Sequence, residues 1–156
     1  MNTYLSFGIG NENFSVNISK VLEVILEYQI IEVPDAPPFI EGVINFRGDI
    51  VPIINFRKKF NFRDSRPGAS AMIIVLEITE ADKKVVFGAV VDRVHDVFEV
   101  NPEQIKSIPE FGSQYNPEYI EGMIKVKDDF FMIMDIEKVF SDKEVDILTE
   151  IEEKTI

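Results

Sequence analysis

His95 is the only histidine of this 156-residue chain, and the segment "DRVHDV" sets Asp92 and Asp96 close to it. A histidine beside carboxylates suggests general acid–base chemistry. The spacing works against that reading. Neighbours on a strand point to opposite faces, so His95 does not easily pair with Asp96. No serine, cysteine or second histidine completes a nucleophilic set, and His95 reads as a surface side chain. Asp128 and Asp129 place two carboxylates side by side, but a calcium loop needs more oxygens at set intervals and a glycine turn. They fit a polar hairpin tip, where Asp tolerates a left-handed backbone. No Walker loop and no GxGxxG occurs. Arg47-Gly48-Asp49 matches an adhesion tripeptide, but no export signal accompanies it. The residues predict no catalytic site, no metal and no cofactor.

Charge points the same way. The net charge is −12, which disfavours nucleic acid and anionic membrane surfaces as main partners, since both are themselves negative. One stretch departs from this balance. Between Arg47 and Arg66, six basic residues (Arg47, Arg57, Lys58, Lys59, Arg63, Arg66) face two acidic ones (Asp49, Asp64). This is either a solvated turn of mixed charge or the polar rim of a protein-binding site. There are no cysteines, no leader-like start and no apolar run near the ~20 residues of a membrane span, so a cytoplasmic protein without direct membrane insertion is expected.

The elements that must carry these residues are mostly short strands. Leu5, Phe7 and Ile9 alternate with Tyr4, Ser6 and Gly8, and Phe14, Val16 and Ile18 alternate beyond the turn "GNEN", which predicts a hairpin. "SKVLEV" has room for one helical turn, and so does "FRKKF". Gly42 to Phe56 reads as strand, tight turn, strand, with Gly48 free to take positive φ at the turn. "AMIIVLEIT" and "KKVVFGAVV" flank the turn "EADK", and "HDVFEV" follows. "NPEQIKSIPEFGSQYNPE" is a long loop. "SDKEVDILTEIEEK" predicts a terminal helix, with Ser141 and Glu144 as a capping box. Turns about every ten residues suggest small barrels or a sandwich.

The chain also repeats itself. Shifted by 80 residues, Ile40, Glu41, Gly42, Ile44, Asp49, Ile53, Lys58 and Phe60 meet identical residues at Ile120, Glu121, Gly122, Ile124, Asp129, Ile133, Lys138 and Phe140. "FSVNISKVLEV" from Phe14 aligns at a second offset with "FGAVVDRVHDV" from Phe87. Two copies of one strand-rich unit are inferred, joined near Asp64–Ala69. Small units bury little surface alone, so the copies should pack together and leave a groove along a pseudo-twofold seam. The first copy carries Arg47-Gly48 at its hairpin tip where the second carries Lys127-Asp128.

"PPFIEGVINFRGDIVPIINFRKKF", "YLSFGIGNENFSVNISKVLEV", "VFGAVVDRVHDV" and "YIEGMIKVKDDFFMIMDIEKVF" together resemble the CheW family of chemotaxis coupling proteins over nearly the whole chain. The resemblance implies two SH3-like five-stranded β-barrels related by a pseudo-twofold, with a short C-terminal helix. The expected boundaries are 1–68 for the first barrel, 69–140 for the second and 141–154 for the helix. It implies a non-enzymatic adaptor between the cytoplasmic tips of methyl-accepting chemoreceptors and the regulatory domain of the histidine kinase CheA, recruited to membrane-bound receptor arrays. The length leaves no room for kinase or receiver segments, which favours a stand-alone adaptor. Carried over position by position, the receptor-binding residues are Val21, Glu23, Val24, Gly42, Arg47 and Gly48, although Gly42 equally suits a pure backbone requirement. Kinase contacts fall on the second barrel, at residues the sequence does not name. A CheW-like adaptor of pilus motility is an alternative. In a different class, so is a β-barrel enzyme binding a small ligand or metal in its seam, with hydrolytic use of His95.

Overall fold

Alternating apolar residues become ten strands in the computed structural model, which describes residues 2–62, 70–108 and 118–154. They are β1 (Asn2–Ile9), β2 (Glu12–Asn17), β3 (Val21–Ile25), β4 (Ile40–Phe46), β5 (Asp49–Asn55), β6 (Met72–Glu80), β7 (Lys83–Val91), β8 (Arg93–Val100), β9 (Ile120–Val126) and β10 (Asp129–Met134). Two helices join them, α1 (Phe56–Lys59) and α2 (Asp142–Lys154), with 3-10 turns at Ile18–Lys20, Pro102–Gln104 and Ile136–Lys138. The connector expected at Asp64–Ala69 lies outside the described residues.

The strands form two five-stranded sheets, ordered β8-β1-β2-β10-β9 and β3-β6-β7-β5-β4. Replacing β1 by β6, β2 by β7, β3 by β8, β4 by β9 and β5 by β10 turns one order into the other. The registers agree with this. Ile133 pairs in parallel with Ser15, and its repeat partner Ile53 pairs in parallel with Gly88. These are the two SH3-like barrels related by a pseudo-twofold.

The boundaries expected at 68/69 do not follow the sheets. Each barrel combines the first hairpin of one repeat with the last three strands of the other: β1 and β2 sit with β8, β9 and β10, while β6 and β7 sit with β3, β4 and β5. Sequence similarity locates the copies. It does not tell which sheet a strand joins, because the chain changes barrel at the turns after β2 and β7.

This exchange explains why the central strands are apolar on both faces. In β1, Leu5, Phe7 and Ile9 enter a large cluster shared by both barrels, while Tyr4 enters the interior of its own. In β6, Ile74, Leu76 and Ile78 join the shared cluster, and Ile73 and Val75 the interior of the other barrel. The shared cluster fills the seam where a groove was expected. Phe60 stacks on Tyr119 at 4.4 Å between ring centres, and the equivalent pair, Phe140 and Phe39, lies at 6.4 Å. Val145, Leu148 and Ile151 of α2 complete the cluster. The two small units are stabilised by burying their apolar faces against one another.

The capping box is formed: Glu144 N donates to Ser141 Oγ at 3.2 Å and Ser141 N donates to Glu144 Oε1 at 2.9 Å. Glu144 also accepts from Lys59 Nζ, at 2.8 Å through Oε2, which docks α2 onto α1. Burial alone pushes the Glu144 carboxyl up. The hydrogen bonds from Lys59 and Ser141 and the lysine charge outweigh it and hold the group below the usual glutamate value.

Candidate protein-interaction site

The tip of the β4–β5 hairpin is a two-residue turn between Phe46 and Asp49, which face each other across the ladder. Arg47 has φ 54° and Gly48 has φ 89°, the positive pair a type I′ turn requires. Gly48 N donates to Asn45 Oδ1 at 3.0 Å. The Arg47 guanidinium lies 4.8 Å from the centre of the Phe46 ring and donates to Glu23 Oε1 at 2.7 Å. Glu23 comes from β3, an edge strand that pairs with β6 opposite Val75. Two residues far apart in sequence thus meet on one barrel surface. The pair is exposed, with 65% of the arginine and 43% of the glutamate side chain accessible.

The other expected receptor-side residues divide. Val21 and Val24 are half-buried against the shared cluster, at its margin beside Glu23. Gly42 is buried and does not reach the surface patch. Its φ is +150°, and a Cβ there would lie 2.3 Å from the carbonyl oxygen of Ile31. Ile31 and Val43 exchange two backbone hydrogen bonds of 2.8 Å across this point. Gly42 therefore meets a backbone requirement: it lets the segment after β3 cross over β4 and close the barrel. Gly122 lets Lys106 cross β9 in the same way.

The basic stretch resolves into internal ion pairs. Besides Arg47, Arg57 holds Asp92, Lys58 lies 3.4 Å from Glu41 and Lys59 holds Glu144. Arg63 and Arg66 fall outside the described residues. Among the described residues of the stretch, Arg57 and Lys59 are thus buried or half-buried clasps, while Arg47 and Lys58 lie at the surface.

Sequence reasoning missed the exposed apolar residues. Leu22, next to Glu23, and Leu26 and Ile31, in the segment after β3, are exposed, and Val97 and Phe130 are exposed on the other barrel. Leu22 within β3 and Leu26 just after it were the available signal, since β3 is an edge strand with no neighbour on one side. Beside Phe130, Met123, Ile124, Lys106, Lys125, Glu103 and Gln104 line an open cleft of about 460 Å³.

His95 sits on β8, exposed, with Nε2 3.2 Å from Asn13 Oδ1 and its ring edge-on to Phe131. Asp128 and Asp129 lie at the β9–β10 tip. Among the described residues no group of three or more His, Asp or Glu side chains is arranged to hold a metal ion. None of their helices is long and apolar enough to cross a membrane.

Known proteins share this arrangement. The family model for the CheW-like domain matches residues 3–144. The chain is 37% identical to the chemotaxis protein CheW of Klebsiella aerogenes over 142 residues, covering 91% of this chain and 83% of that one. It is 30% identical to the chemotaxis protein CheW of Treponema pallidum, covering 90% and 83%. The crystal structure of the scaffolding protein TtCheW from Thermoanaerobacter tengcongensis superposes with a TM-score of 0.78 at 29% identity, covering 90% of this chain and 92% of that one. With the fold, the repeat and the hairpin motif all in agreement, the chain belongs to the CheW family of chemotaxis scaffold proteins, which are adaptors and not enzymes.

Proposed function

We propose that the protein couples the cytoplasmic tips of methyl-accepting chemoreceptors to the regulatory domain of the histidine kinase CheA. It does so on the cytoplasmic side, recruited to membrane-bound receptor arrays. The receptor side is the surface made by Val21, Glu23, Val24, Arg47 and Gly48, with Gly42 supporting the backbone beneath. The kinase side is the barrel carrying β9 and β10, where Phe130 and Val97 offer apolar surface.

The observation that carries the reading is the Glu23–Arg47 pair. It joins the two motifs of the family resemblance, the V-x-E segment and the R-G turn, at one exposed place. Stability does not account for it, because an exposed ion pair contributes only about 0–1 kcal/mol and an exposed cation–π contact a similar amount. Its value lies in orientation. The glutamate holds the arginine across Phe46, so a partner meets a fixed polar group beside exposed Leu22 instead of a mobile side chain.

The test is a charge exchange. Arg47→Ala and Glu23→Arg each weaken receptor binding, and Glu23→Arg with Arg47→Glu recovers part of it. Kinase affinity and melting temperature stay close to wild type in all three. The reading fails if Arg47→Ala unfolds the protein, or loses the kinase as readily as the receptor.

A further inference from the structure

The chain passes from one barrel to the other at two equivalent turns, and each is pinned by an ion pair. After β7 the chain leaves its barrel at Asp92. Arg57, from the turn after β5 of that same barrel, binds both Asp92 oxygens, with Nη1 to Oδ1 at 2.8 Å. Gly10 N, from the opposite barrel, donates to Asp92 Oδ2 at 2.6 Å. After β2 the chain leaves the other barrel at Ile18–Lys20. Glu137, from the turn after β10, accepts from Lys20 Nζ at 2.5 Å and, through its other oxygen, from Thr79 N of the opposite barrel at 3.2 Å. Arg57 and Glu137 occupy equivalent positions in the repeat with opposite charges, and their partners lie one position apart in it, since Asp92 aligns with Ser19, the residue before Lys20.

The two clasps differ in burial. The side chains of Arg57 and Asp92 are 7% and 11% exposed, and those of Lys20 and Glu137 34% and 29%. A buried, two-point pair resists opening, since separation leaves bare charges out of water. A one-point lysine pair at the water's edge opens cheaply and is screened by salt. Lys20 directly precedes Val21 of β3, the strand that presents Glu23. Glu137 lies in the turn between β10 and the start of α2.

We propose that Lys20–Glu137 is the releasable clasp of the seam and Arg57–Asp92 its pivot, so that load on β3 is passed to the β9–β10 barrel by opening at Lys20. The coupling role rests on the receptor surface proposed above. The opening itself does not.

Hydrogen–deuterium exchange on the isolated full chain tests the opening. In wild type, exchange across 18–25 and 136–140 rises about threefold or more between low salt and ~1 M salt, because screening weakens the exposed pair. Lys20→Met, which keeps the aliphatic stem, exchanges at the high-salt rate at every salt concentration. Lys20→Arg, which keeps the cation facing Glu137, stays close to wild type, and residues 8–12 and 90–93 change little in any of them. In a reconstituted array, Lys20→Met binds receptor and kinase within about twofold of wild type yet loses most of the receptor's control over the kinase. The proposal is overturned if exchange ignores salt and Lys20→Met, if Lys20→Arg is no better than Lys20→Met, or if control survives in Lys20→Met. Should wild type itself fail to join receptor and kinase, the function proposed above falls, while the exchange pattern still decides which clasp opens.

Discussion

The β4–β5 and β9–β10 hairpins descend from one sequence pattern and end in different chemistry. Both have two-residue tips, between Phe46 and Asp49 and between Val126 and Asp129. Both start with a left-handed basic residue, Arg47 at φ 54° and Lys127 at φ 59°. Only the first continues with positive φ, at Gly48, and only there does the basic residue reach an acidic partner. Among the described residues Lys127 forms no ion pair, and the surface near it is led by exposed Phe130. One tip displays an oriented ion pair and the other an aromatic ring. A duplicated scaffold can thus keep its backbone and present two different surfaces, since tip side chains carry little of the stability.

The sharpest way to break this comparison is to probe the shared backbone. Gly42 has positive φ, and a Cβ there would lie 2.3 Å from the Ile31 carbonyl oxygen, while Gly122 has no such φ and a Cβ there would lie 2.7 Å from that of Lys106. Gly42→Ala is expected to cost about 3 kcal/mol and Gly122→Ala roughly half of that, read by denaturant melts. Equal costs, or the reverse order, mean that the first hairpin is not the more constrained one.

A smaller effect belongs to the helix beyond the second hairpin. The second repeat runs into α2, whose capping Glu144 is held by Lys59. Its pKa is lowered in the folded protein, so its contribution is present above the unfolded value and is lost as pH falls through the folded one. Glu144→Gln should therefore lose about 1 kcal/mol at neutral pH and show a flatter fall of melting temperature below pH ~4.5 than wild type. Parallel curves for the two proteins sink this assignment.

The smallest stability effects belong to the tips. Arg47→Ala should cost at most about 1 kcal/mol and Lys127→Ala close to nothing. Receptor affinity sharpens the contrast, because it should fall for Arg47→Ala and hold for Lys127→Ala. A matching loss from both variants makes the two tips functionally alike.

Much of this was legible in the residues. Alternation marked the hairpins, Gly48 marked the turn, Ser141 and Glu144 marked the start of α2, and the 80-residue shift marked the repeat. These signals are local, or compare local stretches, so they survive without coordinates. The family motif extended them to two barrels and to Glu23 and Arg47 as residues of one surface.

The residues alone carry the inventory: strand-forming segments, two copies of a unit, a helix cap and an R-G tip present in one copy only. How the copies share strands emerges only on assembly, because β1–β2 is completed by β8–β10 and nothing local encodes the far partner of an edge. The seam is packed and not grooved for a similar reason, since both faces of the central strands are apolar and only assembly assigns each face to a core. Gly42 serves the backbone because a carbonyl eleven residues away in sequence, that of Ile31, fills the space a Cβ would take. Folding also gives Arg47, Arg57, Lys58 and Lys59 separate partners: each finds a carboxylate that another element delivers, and that delivery depends on long-range packing and not on the spacing of the charges.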